Sequence, residues 1–152
     1  MERFVTQGSV AVTSDETMIN LFNPAATPTM RGRIYDFIIG CGAAVADATT
    51  IFMVNRTTAV GTEGSGFTPN NLDSGGPAGA YDSGVGTFSA EPTYTANKQL
   101  WRGAVHQRNT VRWVAREGSE LVMAATQNNG AGLRAVTSTT TVAYDSCIYF
   151  ME

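Results

Sequence analysis

The sequence predicts an all-β fold, an antiparallel β-sandwich of jelly-roll type, and three observations carry that prediction. Thr and Gly are abundant, while Lys occurs once, at Lys98. No window places apolar residues at i, i+3, i+4 and i+7 over three turns, so helix is a minority state. Several segments combine β-branched and aromatic residues between turn signals, the pattern of short strands that each bury one face. Stacked antiparallel sheets accommodate about eight such strands. With 152 residues the chain has room for a single domain. Its charged fraction of 15% lies well below the ~25% of an average soluble domain, so uncharged polar groups carry the surface.

Residues 4–12 read as the first strand, with Val10 and Val12 on one face and Ser9, Ala11 and Thr13 on the other. Gly8 predicts a bulge or bend within it. Residues 17–22 alternate loosely and read as a second strand, although Thr13-x-x-Glu16 also fits a capping box that opens a helical turn. Asn23-Pro24 and Thr27-Pro28 then break the chain, because proline removes a ladder donor. Arg33 to Ile39 reads as a central strand with Tyr35, Phe37 and Ile39 on one face and Ile34, Asp36 and Ile38 on the other. Gly40 to Ala44 predicts a tight turn or close contact. Residues 50–56, apolar on both faces at their start, belong in the middle of a sheet or at a subunit contact.

From Gly61 to about Asn97 the composition shifts to Gly, Ser, Asn, Asp and Pro, with isolated aromatics Phe67, Tyr81, Phe88 and Tyr94. Compact domains rarely carry structureless loops beyond about 12–15 residues unless the loop has a function. The stretch therefore reads as a surface excursion that a partner orders, its aromatics being anchors. Residues 99–106, 110–115 and 120–124 read as strands, and the short connections at 107–109 and 116–119 predict hairpins in a meander. Asn129-Gly130 predicts a turn needing positive φ. Two last strands follow at 131–136 and 140–151, the latter with Val142, Tyr144, Ile148 and Phe150 on one face.

Composition excludes several function classes. A net charge of −3 gives no general attraction to nucleic acid or anionic lipid, so neither nucleic acid nor membrane is an expected partner. No apolar run reaches the ~18 residues of a membrane span, and Met1 to Phe4 has neither a basic nor an apolar leader region, so no export signal is expected. Asn55-Arg56-Thr57 matches a glycosylation sequon that is without consequence unless the chain is secreted. Cys41 and Cys147 lack metal-ligand spacing and read as small buried hydrophobes, a disulfide between them staying open if their strands pair. No metal or cofactor is expected.

The chemistry-bearing residues form no recognisable catalytic set. His106 is the only histidine, and no serine in a nucleophile setting accompanies it. Asp73, Asp82 and Glu91 are types that ligate hard cations, but their spacing matches no calcium loop. Gly61 to Gly66 is glycine-rich yet lacks the Lys-Ser/Thr of a phosphate-binding loop. The informative feature is basic: Lys98, Arg102, Arg108, Arg112 and Arg116 lie close together in sequence, with Arg102, Arg112 and Arg116 expected on faces opposite Trp101 and Trp113. Arg and Trp are enriched at interface hot spots, and Arg pairs bidentately with carboxylates. Phe67, Tyr81, Phe88, Tyr94, Arg102, Arg108, Arg112 and Arg116 are thus the candidate contacts to a partner.

Phe67-Thr68-Pro69 with Leu72-Asp73, Glu91-Pro92-Thr93-Tyr94, Gln107-Arg108, Arg112-Trp113-Val114-Ala115, Gly118-x-Glu120-Leu121-Val122 and Asn128-Asn129-Gly130-x-Gly132-Leu133 resemble a group of small tailed-bacteriophage proteins across roughly residues 30–150. The resemblance implies a virion protein, a capsid cement or decoration protein on the outer surface of the head, commonly a homotrimer, with the major capsid protein as its partner. It also implies a sandwich or jelly-roll fold and no enzymatic residues. The other reading of the residues is a tail- or fibre-associated module in which exposed Trp or Tyr stacks on sugars. A small hydrolase would have to act through His106.

Overall fold

The computed structural model describes residues 1–42, 47–138 and 140–152. Part of the turn expected at Gly40 to Ala44 lies outside the described residues. The described residues form strands and no helix. One sheet holds β1 (Arg3–Val12), β3 (Arg33–Cys41), β6 (Asn70–Asn71), β9 (Val111–Val114), β10 (Leu121–Val122) and β12 (Val142–Met151). The other holds β2 (Glu16–Phe22), β4 (Thr49–Ala59), β5 (Ser65–Phe67), β7 (Asp82–Val85), β8 (Thr93–His106) and β11 (Gly130–Thr137). The first runs β10-β3-β12-β1-β6, with β9 also on β3, and the second β5-β7-β2-β11-β4-β8. Every strand pair is antiparallel, and the two sheets enclose one apolar core, the β-sandwich that the strand pattern predicts.

Alternation explains most of that core. On β12, Val142, Tyr144, Ile148 and Phe150 all turn inward as expected, where Phe150 stacks on Phe4 and Tyr144 meets Phe52 edge to face. Both chain ends join this ladder, since Glu2 and Glu152 exchange backbone hydrogen bonds. The capping-box residues close the β1–β2 turn instead of starting a helix. Glu16 accepts hydrogen bonds from the Thr13 amide (2.7 Å) and hydroxyl (3.0 Å), and Asp15 takes a positive φ.

β3 departs from simple alternation. Its register against β12 shifts between Tyr149 and Phe150, so that Tyr35 and Asp36 together oppose Tyr149. This bulge turns Ile34 into the core with Phe37 and Ile39 and leaves Tyr35 only partly buried, reversing the faces expected for Ile34 and Tyr35.

The 61–97 stretch is not a loop awaiting a partner. It supplies β5, β6, β7 and the start of β8, extending one edge of the first sheet and both edges of the second. Tyr81 and Phe88 are 1% and 7% exposed, and the Tyr81 hydroxyl accepts the Gly32 amide at 2.8 Å. Glu152 accepts the Ala80 and Tyr81 amides, and Ser83 shares a 2.6 Å hydrogen bond with Thr6. Of the isolated aromatics in this Gly-rich segment, Tyr81 fills the chain's own core and Phe67 packs against it, while Phe88 is buried beside Gly84.

The expected meander is also corrected. β8 pairs with β4 in the second sheet, whereas β9 and β10 both pair with β3 in the first. The 107–109 connection thus carries the chain between sheets, tied down by the Gln107 amide on the Ala48 carbonyl and the Ala48 amide on Gln107 Oε1. β9 and β10 form a single interrupted edge strand, continued by the Ala115 amide on the Tyr35 carbonyl and the Met123 amide on the Gly32 carbonyl. Residues 116–119 are an excursion from that edge. The reason lies in Phe37, which Trp101 meets from one sheet at 4.9 Å and Trp113 stacks on from the other at 5.2 Å; a hairpin would put both indoles on one sheet.

Candidate interaction surface

The two outer sheet faces differ in whether the chain covers them. On the second sheet, Thr17, Asn20, Asn55 and Thr57 alternate with core residues and point away from the core, yet all are buried. Tyr94 roofs them. Its hydroxyl shares a 2.7 Å hydrogen bond with Thr17, its ring lies 4.3 Å from the Arg134 guanidinium carbon, and a side chain on Gly132 would collide with it. Glu91 anchors the same roof by accepting the Thr17 amide at 3.1 Å and the Thr17 hydroxyl. Burial pushes the Tyr94 phenol well above its ordinary value, with the Thr17 hydrogen bond working against the shift.

Among the described residues the first sheet carries no such roof. Register places Val5 beside Tyr149, Tyr149 beside Asp36 and Asp36 beside Val114; the next row runs Gln7, Cys147, Ile38, Arg112. Tyr35 lies 6.4 Å from Tyr149, ring to ring. Val114 is 55% exposed; Val5, Tyr35, Ile38, Cys147, Tyr149 and Met151 are all part-exposed. Arg3 and Arg33 flank Met151 in the row nearest the chain ends. Burial raises the Tyr35 phenol, opposed by Arg3 and reinforced by Asp36 and Tyr149. The result is an open apolar and aromatic centre with arginines at its rim.

Of the basic candidates, Arg112 lies on this face, where its Nε reaches both Asp36 carboxylate oxygens at 3.1 Å. The guanidinium is 61% exposed and the carboxylate 6%, so Arg112 neutralises a carboxylate of its own chain. Arg108 likewise forks onto Asp47, which draws the Asp47 carboxyl below its ordinary value. Both arginines are candidate contacts to a partner from the sequence, and Arg112 is expected to meet a partner's acid; each pairs here with an acid of this chain. Arg102 and Arg116 are exposed, Arg102 on β8 and Arg116 in the excursion after β9, and among the described residues neither forms an ion pair.

The aromatic candidates fare differently as exposed anchors. Tyr81 and Phe88 are interior, Phe67 packs against the core from β5, and Tyr94 is spent on the roof. Tyr35, Ile38, Val114 and Tyr149 take their place. Tyr149 was legible, since it alternates with the inward Ile148 and Phe150; Tyr35 was not, because only the bulge turns it outward.

The remaining chemistry-bearing residues have local roles. His106 Nδ1 accepts the Arg108 amide at 3.3 Å, bracing the connection between sheets. Asp73 accepts the Gly75 amide in a turn, Glu91 holds Thr17, and Asp82 lines a shallow depression with Glu63, burial and then Glu63 raising its carboxyl. Among the described residues no three acidic, histidine or cysteine side chains converge as metal ligands. Cys41 opposes the inward Tyr144 and Cys147 the outward Ile38, so the thiols leave opposite faces and form no disulfide. Comparison with protein-family models, curated proteins and solved structures finds no match to this chain.

Proposed function

We propose that this chain is a structural protein of a tailed-bacteriophage particle, a cement or decoration protein on the outer surface of the head that binds across neighbouring major capsid subunits. The observation that carries this reading is the asymmetry of the two faces. One is roofed by the chain itself, and the other leaves Tyr35, Ile38, Val114 and Tyr149 open within a rim of arginines. An apolar patch with a polar rim is how protein interfaces are built, and aromatic residues and Arg are enriched there. The strand orders β1-β12-β3-β9 and β2-β11-β4-β8, with the chain alternating between sheets, support a jelly roll, an architecture that recurs in viral capsid domains. As a decoration protein the chain works as a homotrimer.

The same architecture recurs in lectins, and the Tyr35–Tyr149 pair beside the Arg112–Asp36 ion pair favours a second reading, a tail- or fibre-borne module that stacks sugars. Gradient cosedimentation with purified heads and a glycan array separate the two. Decoration predicts a fixed ratio to the major capsid protein and no glycan signal. Glycan binding with the protein confined to the tail would overturn it.

A further inference from the structure

We infer that the free edge of β1 from Gln7 to Ala11 is a strand-addition site, taking an extended segment of a partner polypeptide that presents a basic residue beside an apolar one. The β6 ladder sets the phase. Leu72 donates its amide to the Arg3 carbonyl at 2.8 Å, and Val5 opposes Asn70. In an antiparallel ladder every second residue turns its N–H and C=O to the same neighbour, so Gln7, Ser9 and Ala11 turn theirs to the side on which β6 lies. β6 stops at Asn70 because the preceding residue is Pro69, and the chain there leaves for β5 in the second sheet. Among the described residues no strand continues the pairing beyond Val5.

The edge is bordered by a groove of about 540 Å³ whose lining includes Gln7, Ser9, Phe67, Val85 and Asp145. Phe67 and Val85 supply its apolar wall. Asp145, across the ladder from Ser9, is exposed and has no ion-pair partner among the described residues, so the complementary side chain is a cation. Natural edges are guarded by Lys, Pro, charge or bulges. β8, an edge strand of the second sheet, carries Lys98 and Arg102 and breaks register repeatedly, whereas Gln7 to Ala11 carries no charge and no proline. Gly8 lets β1 lie close against β2: a side chain there would come within 3.0 Å of the Met18 carbonyl. Main-chain pairing with a pocket for alternate side chains is the physics of strand addition.

The test uses the full chain and the peptide acetyl-Lys-Val-Thr-Val-Lys-Val-Thr-amide, read by residue-resolved amide hydrogen exchange. No capsid is involved, so the outcome is independent of the decoration reading. Exchange at Gln7, Ser9 and Ala11 slows about tenfold once free peptide reaches about ten times its Kd, with the β8 amides unchanged. Ser9→Pro, tolerated at an edge position whose N–H faces outward, abolishes the effect. Asp145→Lys, which leaves the backbone intact, weakens binding about tenfold through like-charge repulsion. No slowing at about 1 mM peptide, slowing at β8 instead, or a Kd left unchanged by Asp145→Lys would overturn the proposal.

Discussion

Arg112 was legible as an exposed arginine opposite Trp113, but Asp36 beneath it was not, because a carboxylate in mid-strand gives no sign in sequence of which cation covers it. Removing the cation leaves a nearly buried carboxylate unpaired. Arg112→Ala therefore lowers the urea midpoint, though by less than breaking a fully buried pair would, because the guanidinium is mostly in water. Adding Asp36→Asn recovers part of the loss, and urea denaturation of the single and double variants measures both. Asp82 works in the opposite sense. Burial and Glu63 raise its carboxyl pKa above the unfolded value, so the folded chain binds that proton more readily than the unfolded chain. The proton's stabilising effect is complete below the ordinary carboxylate range and is lost as pH rises through the raised value. Asp82→Asn should raise Tm at pH 7 and change it less at pH 4; a larger gain at pH 4 contradicts the assignment. Near the Asn-Gly turn, positive φ falls on Asn128 and not on Gly130. Gly130 is needed because any side chain would strike the Leu21 carbonyl.

Among elements, the β8 to β9 passage determines the architecture. Trp101 and Trp113 reach Phe37 from facing sheets, and such aromatic pairs add roughly 0.5–1.5 kcal/mol each beyond burial. Trp101→Ala should cost about 3–5 kcal/mol, seen as a lower midpoint in guanidinium with circular dichroism of the folded state unchanged. A loss below 1 kcal/mol would mean that the clamp does not join the sheets. Strands were legible where apolar and polar residues alternate, as in β1 and β12, and where β-branched and aromatic residues run together between turn signals, as in β3 and β4. Pairing was less so: short connections at 107–109 and 116–119 look like hairpin turns, and only the shared need of both indoles for Phe37 separates their strands. The 61–97 stretch was misread for a related reason. Strands of two to four residues show no periodicity, and isolated aromatics look alike whether they plug the chain's own core or a neighbour's. The candidate surface was legible in Tyr149 and hidden in Tyr35, whose direction depends on a bulge that appears only once β3 is paired.

At the scale of the molecule, the sandwich closes one outer face with its own chain and leaves the other open, the face proposed to bind a partner. Net charge says little about this, since −3 over the chain coexists with Arg3 and Arg33 at one end of the open face, where Arg112 is already paired with Asp36. Electrostatic attraction there favours an acidic rim on the partner and should weaken with salt. Hydroxyl-radical footprinting of the chain, free and bound to purified phage heads, tests the claim most directly. The account predicts protection on binding at Tyr35, Val114, Tyr149 and Met151, with Leu100 and Trp101 near the β8 edge unchanged. Protection confined to β8 or to the 61–97 segment, with Tyr35 and Tyr149 as reactive as in the free chain, would contradict it.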